Sequence, residues 1–255
     1  MFYSICRYII PRIVGALFLF LLVAEKLFAG PPFLTDDPVP EDYHHLDMYL
    51  FSTTDQGKDG TEIQAPAIEF DYGLIPNVAV NITVPYVANL PKSSDELSGH
   101  GIGDTQLSMV YRFLQENEHR PQVSFSPSYY IPTGYAKRGL GNGKPWVSLP
   151  FWAQKSWGSW TTYGGGGYAL NSAPEMRNYF FGGWVLEKEL NDYWTLGGEI
   201  FSQGAVSNTE SSSTIVNLGG NYNVTKTLSI LFSAGGNILG SKNIMTYLGI
   251  DWAIV

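Results

Sequence analysis

The chain is nearly without cysteine, poor in charge and without helical periodicity. Its one cysteine, Cys6, lies ahead of an apolar N-terminal stretch. The chain beyond that stretch has no thiol to pair, which excludes a disulfide-stapled scaffold. Charged residues make up 15% of the sequence, against about 25% in an ordinary soluble domain. Acidic residues outnumber basic ones 23 to 15. That balance argues against nucleic acid as a partner, because phosphate binding calls for a basic surface. The patterns G-x-S-x-G, H-E-x-x-H and the P-loop are missing, so no catalytic residue and no cofactor is assigned. Past the N-terminal stretch, no segment longer than about 12 residues keeps a 3.6-residue period between caps.

Glycine, proline and aromatic residues are abundant instead: 28 Gly, 15 Pro and 15% aromatics. The N-terminus opens with Arg7 and Arg12, continues with "IVGALFLFLLV" (13–23), and offers Ala29 as a small residue before Gly30. This is the pattern of a secretory signal peptide over residues 1–29. A membrane-spanning helix needs about 17–25 apolar residues, and Pro11, Arg12, Glu25 and Lys26 bound this stretch too tightly. Cleavage removes Arg7, Arg12, Lys26 and Glu25, leaving 12 basic and 22 acidic residues, a net charge of −10.

The rest reads in period two, the strand signal. "VAVNITVPYVA" (78–88) sets Val78, Val80, Ile82, Val84 and Tyr86 against Asn81 and Thr83. "TQLSMVYRF" (105–113) sets Leu107, Met109, Tyr111 and Phe113 against Gln106, Ser108 and Arg112. "STIVNLGGNYNV" and "TYLGIDWAI" behave alike. Twelve such segments fall near 44–54, 61–73, 77–88, 101–113, 119–131, 146–157, 160–171, 178–190, 193–204, 212–224, 227–238 and 245–255. Tight connections such as "GLIPN", "SWGSW" and "LNDY" alternate with longer polar ones such as "PTGYAKRGLGNGKP" and "GAVSNTESS". Short turns at one end and long loops at the other are the rhythm of an outer-membrane barrel. The expected fold is all-β: a transmembrane antiparallel up-and-down β-barrel over 44–255, of twelve strands with ten or fourteen as the margin. Residues 30–43 form an N-terminal periplasmic segment, and the pattern leaves open whether it enters the barrel or hangs below it. Partners are then outer-membrane lipids, the outer-membrane assembly machinery and a small solute; the location is a Gram-negative outer membrane.

Glycine pairs recur in mid-strand: "GGGG" (164–167), "FGGW", "LGGE", "LGGN" and "AGGN". A strongly curved closed sheet uses such residues where the backbone coils and neighbouring rings need room. Trp157, Trp160, Trp194, Tyr72 and Tyr222 are expected as a periplasmic aromatic girdle; Tyr86, Trp146, Tyr168 and Phe180 form the external one. On the lipid face Lys155 and Lys188 fall beside tight turns, where a long stem can reach headgroups. The inward face carries Glu69, Asp71, Asp104, Arg112, Glu187, Glu189, Glu199 and Asp251. These are the transport candidates. An acidic lumen favours cations or neutral polar solutes over anions. The competing reading is that these groups pair and fill the interior. "YHHLD" is not taken as a metal pair, because adjacent strand residues point to opposite faces.

Several stretches together carry a resemblance: "PPFLTDDP", "GDTQLSMVYRFLQE", "RPQVSFSPSYYIPTG", "RGLGNGKPWVSLPFWAQKSWGSWTTYGGGGY" and "LSILFSAGGN". They resemble the outer-membrane proteins grouped as the MetA pathway of phenol degradation family, over essentially all of the chain past residue 29. The resemblance implies an outer-membrane barrel that takes up small compounds, aromatic or hydrophobic ones among them. It supplies no catalytic residue. One departure is the C-terminus, where Ile254 stands in the place such barrels usually give to an aromatic. Three functions remain in order: a narrow channel or passive transporter; a structural or surface-interaction barrel with a filled lumen; and a membrane-embedded hydrolase.

Overall fold

The computed structural model describes residues 31–92 and 99–254. The expected signal peptide lies outside the described residues. Fourteen strands are present: β1 (Leu46–Gln56), β2 (Gly60–Ile75), β3 (Val78–Pro91), β4 (Gly99–Ile102), β5 (Thr105–Leu114), β6 (Gln122–Phe125), β7 (Ser128–Ile131), β8 (Trp146–Trp157), β9 (Trp160–Asn171), β10 (Tyr179–Asn191), β11 (Trp194–Gln203), β12 (Ser213–Asn223), β13 (Leu228–Leu239) and β14 (Ile244–Ala253). They make twelve spans, because β4 with β5 and β6 with β7 are single spans with a break. Every span pairs antiparallel with its sequence neighbours, and β1 pairs with β14 along ten residues to close the ring. Closure is what hydrocarbon demands, since an open edge would leave backbone groups without partners.

The two breaks have local causes. Pro127 has no N–H to give the ladder, yet its carbonyl still accepts from Met109 N–H at 3.1 Å. Ser126 N–H crosses to the Pro150 carbonyl at 3.1 Å, and Gly103 N–H to that of Pro85 at 2.8 Å. The backbone bonds are rerouted through the breaks rather than lost.

Period two is realised with apolar side chains outward. Leu50, Ile68, Phe70, Ile82, Leu107, Leu196, Leu218 and Leu248 are exposed, while Gln122, Ser124, Gln154, Thr161, Asn217 and Ser233 are buried inside. The connections 76–77, 158–159 and 192–193 at one end are tight, and 132–145 and 204–212 at the other are long. The β1–β2 connection is shorter than its sequence suggests, only 57–59, because both strands run on past the bilayer pattern. Lys155 is on the outer face and pairs with Glu116 at 3.0 Å, and Lys188 lies 4.9 Å from the Trp160 ring centre. Trp194 and Tyr222 contact each other at 4.7 Å between ring centres, as do Tyr168 and Phe180 at 4.5 Å. Trp146 departs from its expected place. It shares the inward face with buried Ser148 and Gln154, and stacks on Tyr130 at 3.6 Å.

Candidate functional site

"PPFLTDDPVPED" (31–42) carries four prolines and no period, so it cannot join a strand ladder. It lies inside the barrel as an irregular segment. Pro32, Thr35, Asp37, Pro38 and Pro40 are buried. Its anchor is Glu199 on β11. Leu34 N–H donates to Glu199 Oε2 at 3.2 Å and Thr35 N–H to Oε1 at 2.5 Å. Asn217 Nδ2 on β12 donates to Oε2 at 2.6 Å and fixes the carboxylate. On the other side of the segment Ser233 Oγ donates to the Pro32 carbonyl at 2.7 Å. Hydrogen bonds to a charged acceptor contribute about 1.5–3 kcal/mol each.

The glycines of the wall make the seat. A Cβ at Gly183 would overlap Thr35 Oγ1 and come within 2.8 Å of Phe201. A Cβ at Gly165, its cross-strand partner, would overlap the Phe151 carbonyl and press on Trp152 at 3.1 Å. The glycines therefore make room for an aromatic neighbour, as expected, and also for the inserted segment. At the tight-turn end a Cβ at Gly73 would overlap the Asp42 carbonyl. There His44 N–H donates to the Gly73 carbonyl at 2.8 Å and leads the chain into β1.

The segment leaves the lumen partly open. An inner chamber of about 850 Å³ runs along the segment, from Arg112, Asp192 and Asn223 at the tight-turn end to Tyr130, Trp146 and Tyr179 near the long loops. An outer vestibule of about 670 Å³ opens among Lys58, Glu210 and Ser241 on the long-loop side. Of the sequence candidates, Glu69, Asp71, Arg112, Glu187, Glu189 and Asp251 all line the inner chamber. Glu69 accepts from Thr83 Oγ1 at 2.8 Å. Arg112 donates to Asn77 Oδ1 at 3.0 Å and Gln122 Oε1 at 3.2 Å. Glu199 holds the segment instead. Asp104 is elsewhere, at the break between β4 and β5. Its Oδ1 accepts from Gly134 N–H at 3.0 Å and its Oδ2 from Asn142 N–H at 2.7 Å, so it binds the external loop 132–145.

Sequence reasoning missed that the segment brings its own carboxyls, Asp36, Asp37 and Glu41, into the inner chamber. Asp36 faces the open chamber and is enclosed by the wall around it. That burial, with the Glu69 charge behind it, pushes its carboxyl up to about 7, against a bond from Asp37 N–H. Burial, and then the Asp36 charge, push Asp37 the same way. The four histidines are outside both chambers. His100 Nδ1 lies 2.8 Å from Tyr86 Oη on the outer face.

A family model described as "Putative MetA-pathway of phenol degradation" matches residues 48–252. Among curated proteins none matches. Solved structures are similar in fold. The COG4313 outer membrane channel from Pseudomonas putida F1 superimposes with a TM-score of 0.71 at 12% identity, covering 89% of this chain and all of that one. The KdgM porin in complex with disordered oligogalacturonate gives 0.58 at 7%, covering 82% of this chain and 99% of its own. The NanC porin gives 0.58 at 7%, covering 80% and 98%.

Proposed function

Because the chain belongs to the MetA-pathway of phenol degradation family, we propose that it is a non-enzymatic outer-membrane channel for small solutes, uncharged or cationic, with aromatic compounds among them. The observation that carries this reading is that two chambers remain open in the lumen beside the inserted segment. Carboxylates outnumber the single Arg112 guanidinium on the inner wall, and rings such as the Tyr130–Trp146 stack offer an aromatic solute a flat partner. Residues Glu69, Asp71, Glu187 and Asp251 set the preference for cations over anions. Outer-membrane lipids surround the apolar outer face, and assembly machinery for outer-membrane barrels inserts it.

The test is single-channel recording of the refolded protein in a planar bilayer under salt gradients. Discrete cation-preferring steps are expected, and Glu187→Gln with Asp251→Asn shifts the reversal potential toward non-selective. Unaltered selectivity in that double variant overturns the role given to the inner wall. A second reading, a closed structural barrel, draws on the burial of Thr35 and Pro38 in the lumen. A folded protein that passes neither ions nor sugars in liposome swelling favours it.

A further inference from the structure

The two chambers meet at one place. Leu34, Phe201, Gln203 and Met245 line both. Three of these four are apolar. Leu34 is 38% exposed although its neighbour Thr35 is fully buried, so its side chain stands in open space at the junction.

Cross-strand register links the wall residues of this junction. Glu199 pairs with Asn217, Asn217 with Gly235, and Gly235 with Met245 across successive strands. Phe201 is two residues along β11 from Glu199, on the same face. A Cβ at Gly235 would overlap Asn217 Oδ1, so the amide that orients Glu199 has its space from a missing side chain. The Glu199 carboxylate holds the backbone of Leu34 and Thr35, and Ser233 holds Pro32 two residues before. Leu34 is thus fixed on both sides and lines both chambers.

Building on the channel reading, we propose that Leu34, Phe201 and Met245 form an apolar collar, set in place by Glu199, that limits ion passage between vestibule and inner chamber. A narrow apolar ring passes ions poorly because water withdraws from it, whereas an uncharged solute loses little there. Leu34 is then the residue that sets conductance, although it belongs to no strand. Glu199 is a positioning residue that acts through the backbone of Leu34.

The experiment compares full-length wild type, Leu34→Ala, Leu34→Ser, Met245→Ala and a variant lacking residues 31–42, all refolded and recorded in planar bilayers with potassium chloride. Leu34→Ala is expected to raise unitary conductance several-fold, Leu34→Ser more than Leu34→Ala at smaller change in polarity elsewhere, and Met245→Ala to raise it less. Swelling of liposomes with an uncharged pentose is expected to change by a smaller factor than the ionic current. Met245→Ala tests the collar from the wall side if the segment variants refold poorly. Wild-type conductance in all three point variants, together with a large conductance in the deletion variant, overturns the collar and leaves the channel standing. A folded deletion variant that passes no current overturns the channel reading itself.

Discussion

Two irregular stretches of this protein are held in the same way and to different ends. The segment 31–42 gives two backbone N–H groups to Glu199, and the external loop 132–145 gives two to Asp104. Glu199 stands on the inward face of β11, and Asp104 in the break between β4 and β5. Glu199 is 3% exposed within the lumen, with Asn217 beside it. Asp104 sits at a break in the wall, under a loop whose Leu140 is 5% exposed and packs toward Gly99 and Gly101. The loop is further closed by reciprocal amide bonds between Asn142 and Asn171 at 3.0 and 3.1 Å. The comparison teaches that an inward carboxylate in a barrel is as apt to hold chain as to meet solute. Backbone N–H groups without a ladder partner are the strongest donors available there.

The largest effect that sharpens this comparison is expected from Glu199→Ala. It removes three donors' acceptor at once, each bond contributing about 1.5–3 kcal/mol. The segment should leave its seat and the conductance rise several-fold in bilayer recordings. Gly183→Val should act in the same direction from the other partner, since its side chain would occupy the place of Thr35 Oγ1. Asp104→Ala should destabilise only the external loop. Faster tryptic cleavage at Lys137 or Arg138 with conductance unchanged is the expected result, and altered conductance would break the contrast between the two carboxylates.

A smaller effect is expected with pH. The Asp36 carboxyl is raised from its ordinary 3.8 to about 7 by burial and the Glu69 charge, so the neutral form is the one the lumen favours. Its contribution to docking is fully present below the ordinary value and is lost as pH rises through about 7. Asp37 shifts in the same direction. Open probability should therefore rise as pH is raised from about 4 to about 8, and Asp36→Asn should flatten that rise. The smallest effect is expected at Lys155→Ala. The Lys155–Glu116 pair is partly exposed, at 31% and 23%, and such pairs contribute no more than about 1 kcal/mol.

The wall was legible because its two signals are local. Alternation such as Leu107, Met109, Tyr111 and Phe113 against Gln106, Ser108 and Arg112 needs only the strand period, and loop length needs only counting. Trp146 was misplaced in the external girdle: it stands at even spacing from Ser148 and Gln154, and that parity, not the habit of placing Trp in a girdle, decides its face. Asp104 was not legible, because the strand phase is interrupted at Gly103 and cannot be carried across the break. The seat for Thr35 was beyond reach for another reason. Gly183 acts through a side chain it lacks, and what fills that space comes from nearly 150 residues earlier, in a stretch of prolines with no period to read.

The opposed glycines have one more consequence. Gly182 pairs with Gly166 and Gly183 with Gly165, so for two rungs of their ladder β9 and β10 carry no side chain on either face. There the partition between lumen and membrane is a single sheet of peptide groups. Thr35 on the inside lies against that backbone. The inserted segment is thus seated against a stretch of wall that has backbone but no side chains of its own, and a fatty chain reaching the outer surface there meets the same backbone that supports the segment within.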